Sequence, residues 1–289
     1  MDYRKKFLAE PGRRIKLHKI DPDYTGKHIS KKESIPALEK YCRHLEKLQQ
    51  ILYAEKKRAL LVVVQALDAG GKDGTINHVM GVLNPQGASV TSFKQPSAED
   101  LAHDFLWRVH PHAPAKGWIA IFNRSHYEDV LVARVHKLVP SSELAERYES
   151  INDFERHLRR QNNTHIVKFF LHISPEEQLR RFAERLDDPA RNWKIAESDY
   201  KEREYWDAYM AAYDEMFAKT SKKNSPWYII PSNHKWFRNL AVSEILAATM
   251  EDLGMELPQP SVDIERIREQ YHKAEDSGAR PSHHKDKSR

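Results

Sequence analysis

The sequence predicts a three-layer α/β fold, in which helices flank both faces of a parallel β-sheet. Short apolar, β-branched runs alternate along the chain with longer amphipathic segments, a pattern typical of parallel strands joined by helices. The first run, 59–64 (ALLVVV), is wholly apolar, as expected for a strand covered on both faces. A glycine-rich segment follows that run directly, which places a candidate site at the carboxyl end of a central strand.

The predicted elements follow from spacing and from helix-start signals. Apolar residues recur at helical spacing over 31–56, which predicts an amphipathic helix. A helix is expected to start after Ser97, where Asp100 completes a capping box, and another after Ser174, where Glu177 stands three residues on. Further strands are predicted at 88–93, 118–122, 166–171 and 227–230.

The chain divides by composition into three segments. Residues 1–30 are basic and interrupted by proline and glycine, and we expect an extended arm. Residues 31–258 form the main domain, within which the charged helical segment 176–220 is expected to stand off the sheet as a lid of two helices with a bend. Residues 259–289 are expected to form a charged tail.

Composition excludes several classes of protein. The 289 residues are 40% hydrophobic and 31% charged, which excludes wholesale disorder. The single cysteine, Cys42, excludes a disulfide within the chain. The net charge of +5 suits a polyanionic partner. The start has no apolar signal core, and no stretch approaches the roughly 18 apolar residues of a membrane helix, so we expect a cytoplasmic protein without a membrane partner.

The segment 66–75 (ALDAGGKDGT) has the features of a phosphate-binding loop. In such loops glycines let backbone N–H groups approach phosphate oxygens, and a lysine meets the terminal phosphates. The strict pattern G-x-x-x-x-G-K-[ST] is not met, because Ala66 replaces its first glycine and Asp73 its hydroxyl residue. The alternative is an ordinary strand–helix turn. The expected phosphate-binding residues are Ala69, Gly70, Gly71, Lys72, Asp73, Gly74 and Thr75.

Acidic residues within and beyond this loop predict a metal ion. A carboxylate beside phosphates is repulsive unless a cation lies between them, so Asp68 and Asp73 favour Mg²⁺ and phosphoryl transfer. The third predicted strand ends in the segment 122–129 (FNRSHYED). Enzymes with a phosphate-binding loop place an acid that supports the metal at the end of this strand. Asn123 is neutral there, and Glu128 or Asp129 could supply the charge. Arg124, from the same segment, could bind the transferring oxygens.

The predicted lid carries arginines and lysines interleaved with acids. Arg181 and Arg185 lie four residues apart and therefore on one helical face. A solvated, ion-paired helix is the usual interpretation of such a segment. Beside a phosphate loop, a lid that closes over the reacting phosphates and excludes water is the better hypothesis.

Taken together, the motifs resemble the second family of polyphosphate kinases, Mg²⁺-dependent P-loop phosphotransferases that act between inorganic polyphosphate and nucleotides. The resemblance spans 21–259 and rests on 68–74 (DAGGKDG) and 123–129 (NRSHYED). Further matching positions are Arg181-Phe182, Arg185, Pro189, Trp193-Lys194, Asp199, Trp206, Tyr209 and Pro226-Trp227-Tyr228. The resemblance implies a P-loop kinase fold.

Two positions at which family members differ indicate which class of the family the chain resembles. Many members carry aspartate where Asn123 stands and asparagine where Glu128 stands. The version here resembles the third class, which is associated with phosphorylating both nucleoside monophosphates and diphosphates. The resemblance implies AMP, ADP and ATP as nucleotides, leaves guanine nucleotides open, and implies a homo-oligomer, either dimer or tetramer.

The resemblance, together with the motifs, gives each residue an expected role. The expected catalytic residues are Asp68, Lys72, Arg124 and Glu128. The expected ligands of Mg²⁺ are Asp68, Glu128 and Asp73. The expected polyphosphate-binding residues are Arg124, Arg181, Arg185 and Lys194. One alternative function is an ATP-dependent P-loop kinase of a nucleotide or small metabolite. A more distant one is a nucleic-acid-binding module, which the interleaving of cations with acids disfavours.

Overall fold

The structure is a computed structural model and describes residues 2–26 and 30–276. The strands within these residues are β1 (Leu8–Ala9), β2 (Ala59–Gln65), β3 (Ala88–Ser92), β4 (Ile119–Asn123), β5 (Thr164–His172) and β6 (Trp227–Pro231). The first helices are α1 (Tyr3–Phe7), α2 (Lys31–Glu55), α3 (Lys72–Thr75), α4 (Ala98–Leu101), α5 (Glu128–Val135) and α6 (Ser141–Asn162). The later helices are α7 (Pro175–Leu186), α8 (Glu197–Arg203), α9 (Trp206–Thr220), α10 (Lys235–Glu251) and α11 (Ile264–Asp276).

The described strands form one sheet in the order β1–β6–β5–β2–β4–β3. Strand β2 pairs in parallel with β5 on one side and with β4 on the other, where Val64 lies opposite Asn123. This register brings the segments that follow β2 and β4 to the same edge of the sheet. The predicted parallel sheet is confirmed, with one addition: β1 joins its edge antiparallel to β6.

Both faces of the sheet are covered by helices, which confirms the three-layer prediction. Leu60, Val62 and Val64 of β2 pack in a core with α2 and α10. Leu61 and Val63 point to the opposite face and pack with α5, α6 and α9. This alternation explains why β2 is apolar at each of these positions, since side chains of successive strand residues point to opposite faces.

The predicted helix starts are confirmed by their caps. The Ser97 hydroxyl oxygen accepts a hydrogen bond from the Asp100 backbone N–H (3.1 Å), at the start of the single-turn helix α4. The Ser174 hydroxyl oxygen accepts one from the Glu177 backbone N–H (3.1 Å), at the start of α7. These contacts satisfy N–H groups that have no partner within the helix.

The extended arm predicted for residues 1–30 is wrong in its first part. Tyr3 and Phe7 of α1 are buried, and their rings contact the ring of Phe237 on α10, with centroids 5.4 and 6.0 Å apart. Leu17 is also fully buried. A five-residue helix and a two-residue strand are too short to show periodicity, and contacts with the rest of the fold stabilise them.

The segment predicted as a two-helix lid differs from that expectation. It contains α7, a 3₁₀ turn at Asn192–Lys194, α8 and α9. Helix α9 does not stand off the sheet, because Tyr213, Met216 and Phe217 are buried in the core. The charged residues that dominate the segment 176–205 mask the change to an apolar face at α9.

The chain divides into two units after Glu256. The second unit includes α11, whose residues are exposed. The end of the predicted tail, residues 277–289, lies outside the described residues. Across the described ranges, no helix combines the length and apolar character needed to span a membrane.

Candidate active site

The loop after β2 takes a conformation that requires glycine at two positions. Gly70 donates a hydrogen bond from its N–H to the Leu67 carbonyl oxygen (3.0 Å), and a β-carbon on Gly70 would lie 2.5 Å from the Ala66 β-carbon. Gly71 has φ = +101° and is the N-cap residue directly before α3. A side chain at either position would collide or be strained, which explains the glycine pair found in the sequence.

Lys72 lies at the loop, as predicted, and its ammonium group turns back onto the loop. Nζ donates to the carbonyl oxygens of Ala66 (2.8 Å) and Leu67 (3.3 Å). The pKa of Lys72 is lowered to about 8, mainly by burial and also by the nearby Arg124. Asp68 and Glu128 act in the opposite direction. The group is still mostly protonated at pH 7, and two of its three N–H donors are used by the loop.

Arg124 joins the two predicted motifs. Its Nη2 donates to Asp68 Oδ1 (2.6 Å) and its Nη1 to Glu128 Oε2 (3.1 Å). Glu128 Oε1 also accepts a hydrogen bond from Gln65 Nε2 at the end of β2 (2.9 Å). Burial alone would lower the pKa of Arg124, but Glu128 and Asp68 raise it above its ordinary value. The structure therefore brings three of the predicted catalytic residues into direct contact.

The backbone of Arg124 is held in an uncommon conformation. It has φ = +60°, and its N–H donates to the Val64 carbonyl oxygen of β2 (3.1 Å). A left-handed conformation is uncommon for a residue other than glycine. Together with the parallel pairing of β2 and β4, it directs this guanidinium group towards the loop.

The three predicted metal ligands occupy two places. Asp68 and Glu128 meet at Arg124, whereas Asp73 Oδ1 accepts a hydrogen bond from Asn123 Nδ2 (2.8 Å). Among the described residues, no group of three or more such side chains could hold a metal by themselves. Two carboxylates fit Mg²⁺ nevertheless, because this ion is commonly held by one or two carboxylates together with water and substrate phosphates.

The predicted polyphosphate role of Arg181 does not match its contacts. Its side chain is buried, and Nε donates to Glu177 Oε1 (2.6 Å). Nη1 donates to the Ala69 carbonyl oxygen of the loop (2.8 Å), and Nη2 donates to the carbonyl oxygens of Ser232 and Asn233. Arg181 therefore fixes the loop to α7 and to the end of β6, instead of presenting a free fork of donors.

The other two predicted lid cations are more accessible. Arg185 Nη1 donates to the Lys194 carbonyl oxygen (2.9 Å) and lies 3.8 Å from Asp199 Oδ2. Lys194 is exposed, and its Nζ lies 3.8 Å from Asp73 Oδ2 of the loop. Arg185 and Lys194 thus lie on the segment that faces the phosphate loop, and a role for them in polyphosphate binding stays a prediction.

Sequence reasoning missed residues that support the loop or line the site. Gln178 Nε2 donates to the Asp68 carbonyl oxygen (2.9 Å). Its position three residues before Arg181, on the same helical face, was a usable signal. Asp129 pairs with Arg108 Nη2 (3.0 Å) and not with the Asp68–Arg124–Glu128 group, which leaves Glu128 as the acid beside Arg124. Arg238 of α10, which lies against the loop, had no signal in the sequence.

A cavity of about 670 Å³ adjoins this group of residues. Asp68, Arg124 and Glu128 are among the residues that line it. Apolar residues that include Phe93 and Leu131 also line it. An enclosed apolar surface next to convergent charged groups is typical of a site for a small organic ligand. A more open depression of about 1010 Å³, over Trp107 and His157, is lined by residues of neither motif among those the structure describes.

A glycine-rich loop, an adjacent lysine and an arginine held between two carboxylates lie together at the carboxyl edge of a parallel sheet. The fold and the site thus define a class, the α/β phosphotransferases. The family model described as Polyphosphate kinase 2 matches residues 28–258. The chain therefore belongs to the polyphosphate kinase 2 family and is an enzyme of this kind.

Individual relatives agree with this assignment. The chain is 49% identical over 264 residues to an AMP/ADP-polyphosphate phosphotransferase of Meiothermus ruber, which covers 91% of this chain and 98% of the relative. It is 44% identical over 271 residues to an ADP-polyphosphate phosphotransferase of Rhodopseudomonas palustris, which covers 88% and 92% respectively. The crystal structure of polyphosphate kinase 2 from Arthrobacter aurescens TC1 is similar with a TM-score of 0.87 at 39% identity, covering 92% of this chain and 98% of that one.

Proposed function

We propose that this protein transfers phosphoryl groups between inorganic polyphosphate and the nucleotides AMP and ADP, with Mg²⁺ as cofactor. The observation that carries the proposal is the contact of Arg124 with both Asp68 and Glu128 beside the lysine of the loop. Relatives whose names specify AMP or ADP and polyphosphate support it. A cytoplasmic location and a homo-oligomeric state remain predictions.

The proposed reaction needs alignment and charge neutralisation more than covalent help from the protein. An oxygen of the nucleotide's terminal phosphate attacks the terminal phosphorus of polyphosphate. The bond between that phosphorus and its bridging oxygen breaks, and the shortened chain keeps the bridging oxygen and its electron pair. The attacking oxygen is ionised at neutral pH, so no histidine base is needed. His126 is fully buried and does not line the cavity among the described residues, which agrees with this assignment.

The chain's own residues have separate roles in this proposal. Arg124 neutralises the charge that spreads over the transferring oxygens, because its guanidinium group can donate to two of them. Lys72 supports the loop and offers its remaining N–H to a phosphate. Asp68 and Glu128 would hold Mg²⁺, which when bound neutralises charge between the phosphates. The 670 Å³ cavity has apolar surface for the base and ribose of the acceptor.

A donor comparison tests the proposed function. We expect purified protein to convert AMP to ADP, and ADP to ATP, with long-chain polyphosphate as donor and Mg²⁺ present. Omitting Mg²⁺ and adding a chelator should abolish the transfer. The proposal is wrong if polyphosphate gives no transfer while ATP phosphorylates a third metabolite, as the alternative ATP-dependent kinase requires.

Glu128→Asn should reduce kcat/KM for both acceptors, and the reduction should be about tenfold larger with AMP than with ADP. Glu128 holds one arm of the Arg124 guanidinium group, and its loss lets Arg124 move. An acceptor with one phosphate depends more on the position of Arg124, because it has no second phosphate to contact other cations. Steady-state kinetics with both acceptors measures the difference.

Glu149→Gln is the matched control for this prediction. Glu149 is an exposed residue of α6, and its substitution removes the same charge from the protein. Its kinetics should equal those of the wild type with both acceptors. Equal losses with AMP and ADP in Glu128→Asn would remove the assignment of acceptor preference to Glu128.

A further inference from the structure

Arg238 of α10 packs against the glycines of the phosphate loop. A β-carbon built on Gly71 would lie 1.9 Å from Arg238 Nη1, and one built on Gly74 would lie 3.2 Å from Nη2. The guanidinium group therefore occupies the space that side chains at these two loop positions would fill. Its contact with the loop is close enough for it to share a ligand with the loop.

The charge of Arg238 is buried without a balancing carboxylate. The residue is 3% exposed, and its Nε and Nη2 both donate to Asn239 Oδ1 (3.1 and 2.9 Å). Within the part of the chain that the structure describes, no acid forms an ion pair with Arg238 and Nη1 donates to no acceptor.

The neighbouring arginine does not relieve this imbalance. Arg181 carries its own counter-charge in Glu177, at 2.6 Å. The pKa of Arg238 is lowered to about 9, mainly by burial and also by the positive charge of Arg181. Arg238 is still charged at pH 7, and a buried charge without a partner is costly to the folded state.

We propose that Arg238 is a phosphate-binding residue, with Nη1 donating to a phosphate group that lies at the Gly71–Gly74 side of the loop. The inference rests on the proposed function for the identity of that group, which belongs either to inorganic polyphosphate or to the nucleotide. Asp68 and Arg124 line the 670 Å³ cavity, whereas Arg238 is not among its described lining residues. Arg238 therefore defines a phosphate position separate from that cavity.

A purely structural role for Arg238 gives the opposite expectation for stability. Arg58 is a suitable comparison, because it lies before β2 and its Nε is 3.3 Å from Glu55 Oε1, a carboxylate that is 2% exposed. Replacing Arg58 by methionine removes a paired charge and leaves Glu55 buried alone, so it should destabilise the protein. Replacing Arg238 by methionine removes a charge that has no carboxylate partner in the described structure.

The first measurement is thermal unfolding of the full chain without phosphate ligands. We expect Arg238→Met to unfold at the wild-type temperature or a few degrees above it, and Arg58→Met to unfold below it. Loss of folding in Arg238→Met would overturn the inference, because the group would then be needed for the fold itself.

The second measurement is isothermal titration of tripolyphosphate and, separately, of ADP. Arg238→Met should weaken binding of at least one of them by about 10- to 100-fold, which corresponds to one charge-assisted contact. Arg238→Lys should recover part of the loss, and Arg58→Met should bind both as the wild type does. Weakened tripolyphosphate binding places the inorganic chain at Arg238, and weakened ADP binding places the nucleotide there. Unchanged affinity for both would overturn the inference.

The transfer assay separates this inference from the proposed function. If Arg238→Met loses anion binding while the wild type accepts only ATP as donor, Arg238 binds phosphate and the proposed donor is wrong. If the wild type uses polyphosphate and Arg238→Met binds both anions normally, the proposed function stands and the role of Arg238 is wrong.

Discussion

Arg124→Ala is expected to lower kcat by about 10³-fold, equivalent to about 4 kcal/mol of transition-state stabilisation. Arg124 contacts both Asp68 and Glu128 and so joins the two motifs. Its loss leaves those carboxylates facing the phosphates without the guanidinium group. Arg124→Lys keeps the charge but not the planar fork, so it should recover only part of the activity. Initial rates with polyphosphate and ADP at saturation measure both effects.

Folding must be shown to survive this substitution. Arg124 is partly exposed, so its alanine variant should unfold within a few degrees of the wild type. Arg43→Ala is the matched control, since Arg43 is an exposed arginine of α2 paired with Glu39 at 3.7 Å. That variant should keep wild-type kinetics. Near-normal turnover in Arg124→Ala would show that the assignment of Arg124 is wrong.

Glu155→Gln is expected to lower the free energy of unfolding by about 3–5 kcal/mol, because it leaves the buried amino group of Lys168 without its carboxylate partner. Lys168 Nζ donates to Glu155 Oε2 (2.8 Å) and to the hydroxyl oxygen of Tyr127 (2.9 Å), and both charged residues are fully buried. Burial alone would raise the pKa of Glu155, but Lys168 and His126 lower it to about 2, so the carboxylate is ionised at pH 7. Equilibrium unfolding in urea measures the loss.

A double variant separates the loss of the pair from the cost of an unpaired charge. Glu155→Gln combined with Lys168→Met should be more stable than Glu155→Gln alone, because neither member of this pair is then left buried without the other. Glu149→Gln, on the exposed face of the same helix, should change stability by less than about 0.5 kcal/mol. A loss of similar size in Glu149→Gln, or a double variant less stable than Glu155→Gln alone, would contradict this assignment.

The loop and the second motif could be predicted because their signals are local. A wholly apolar strand followed by glycines and lysine specifies a loop at the strand's end. The pairing of β2 with β4 then brings Arg124 to Asp68, and the structure confirms the parallel arrangement that the alternating pattern predicted. Glycine at position 71 follows from a positive φ and from the space that Arg238 takes.

Other predictions depended on contacts between distant residues, and here sequence patterns were insufficient. Arg181 lies four residues before Arg185 on one helical face, which predicted that both would face substrate. The N–H groups of Arg181 instead donate to the loop and to the residues that follow β6. Asp73 stands beside the lysine but faces Asn123 instead of joining Asp68. Helix α1 is too short for periodicity and exists by packing its aromatic residues on Phe237.

The sequence by itself determined the alternation of strands and helices, the phosphate loop, and the pair of motifs that resemble one enzyme family. These features depend on residues that are a few positions apart, so their spacing can be read directly from the sequence. Tertiary structure alone decided which cations are free and which are engaged, since Arg181 and Arg238 meet the loop from helices more than 100 residues further along. A charge acquires its role from the groups that surround it after folding, because burial and partners, not residue type, set its cost and its availability.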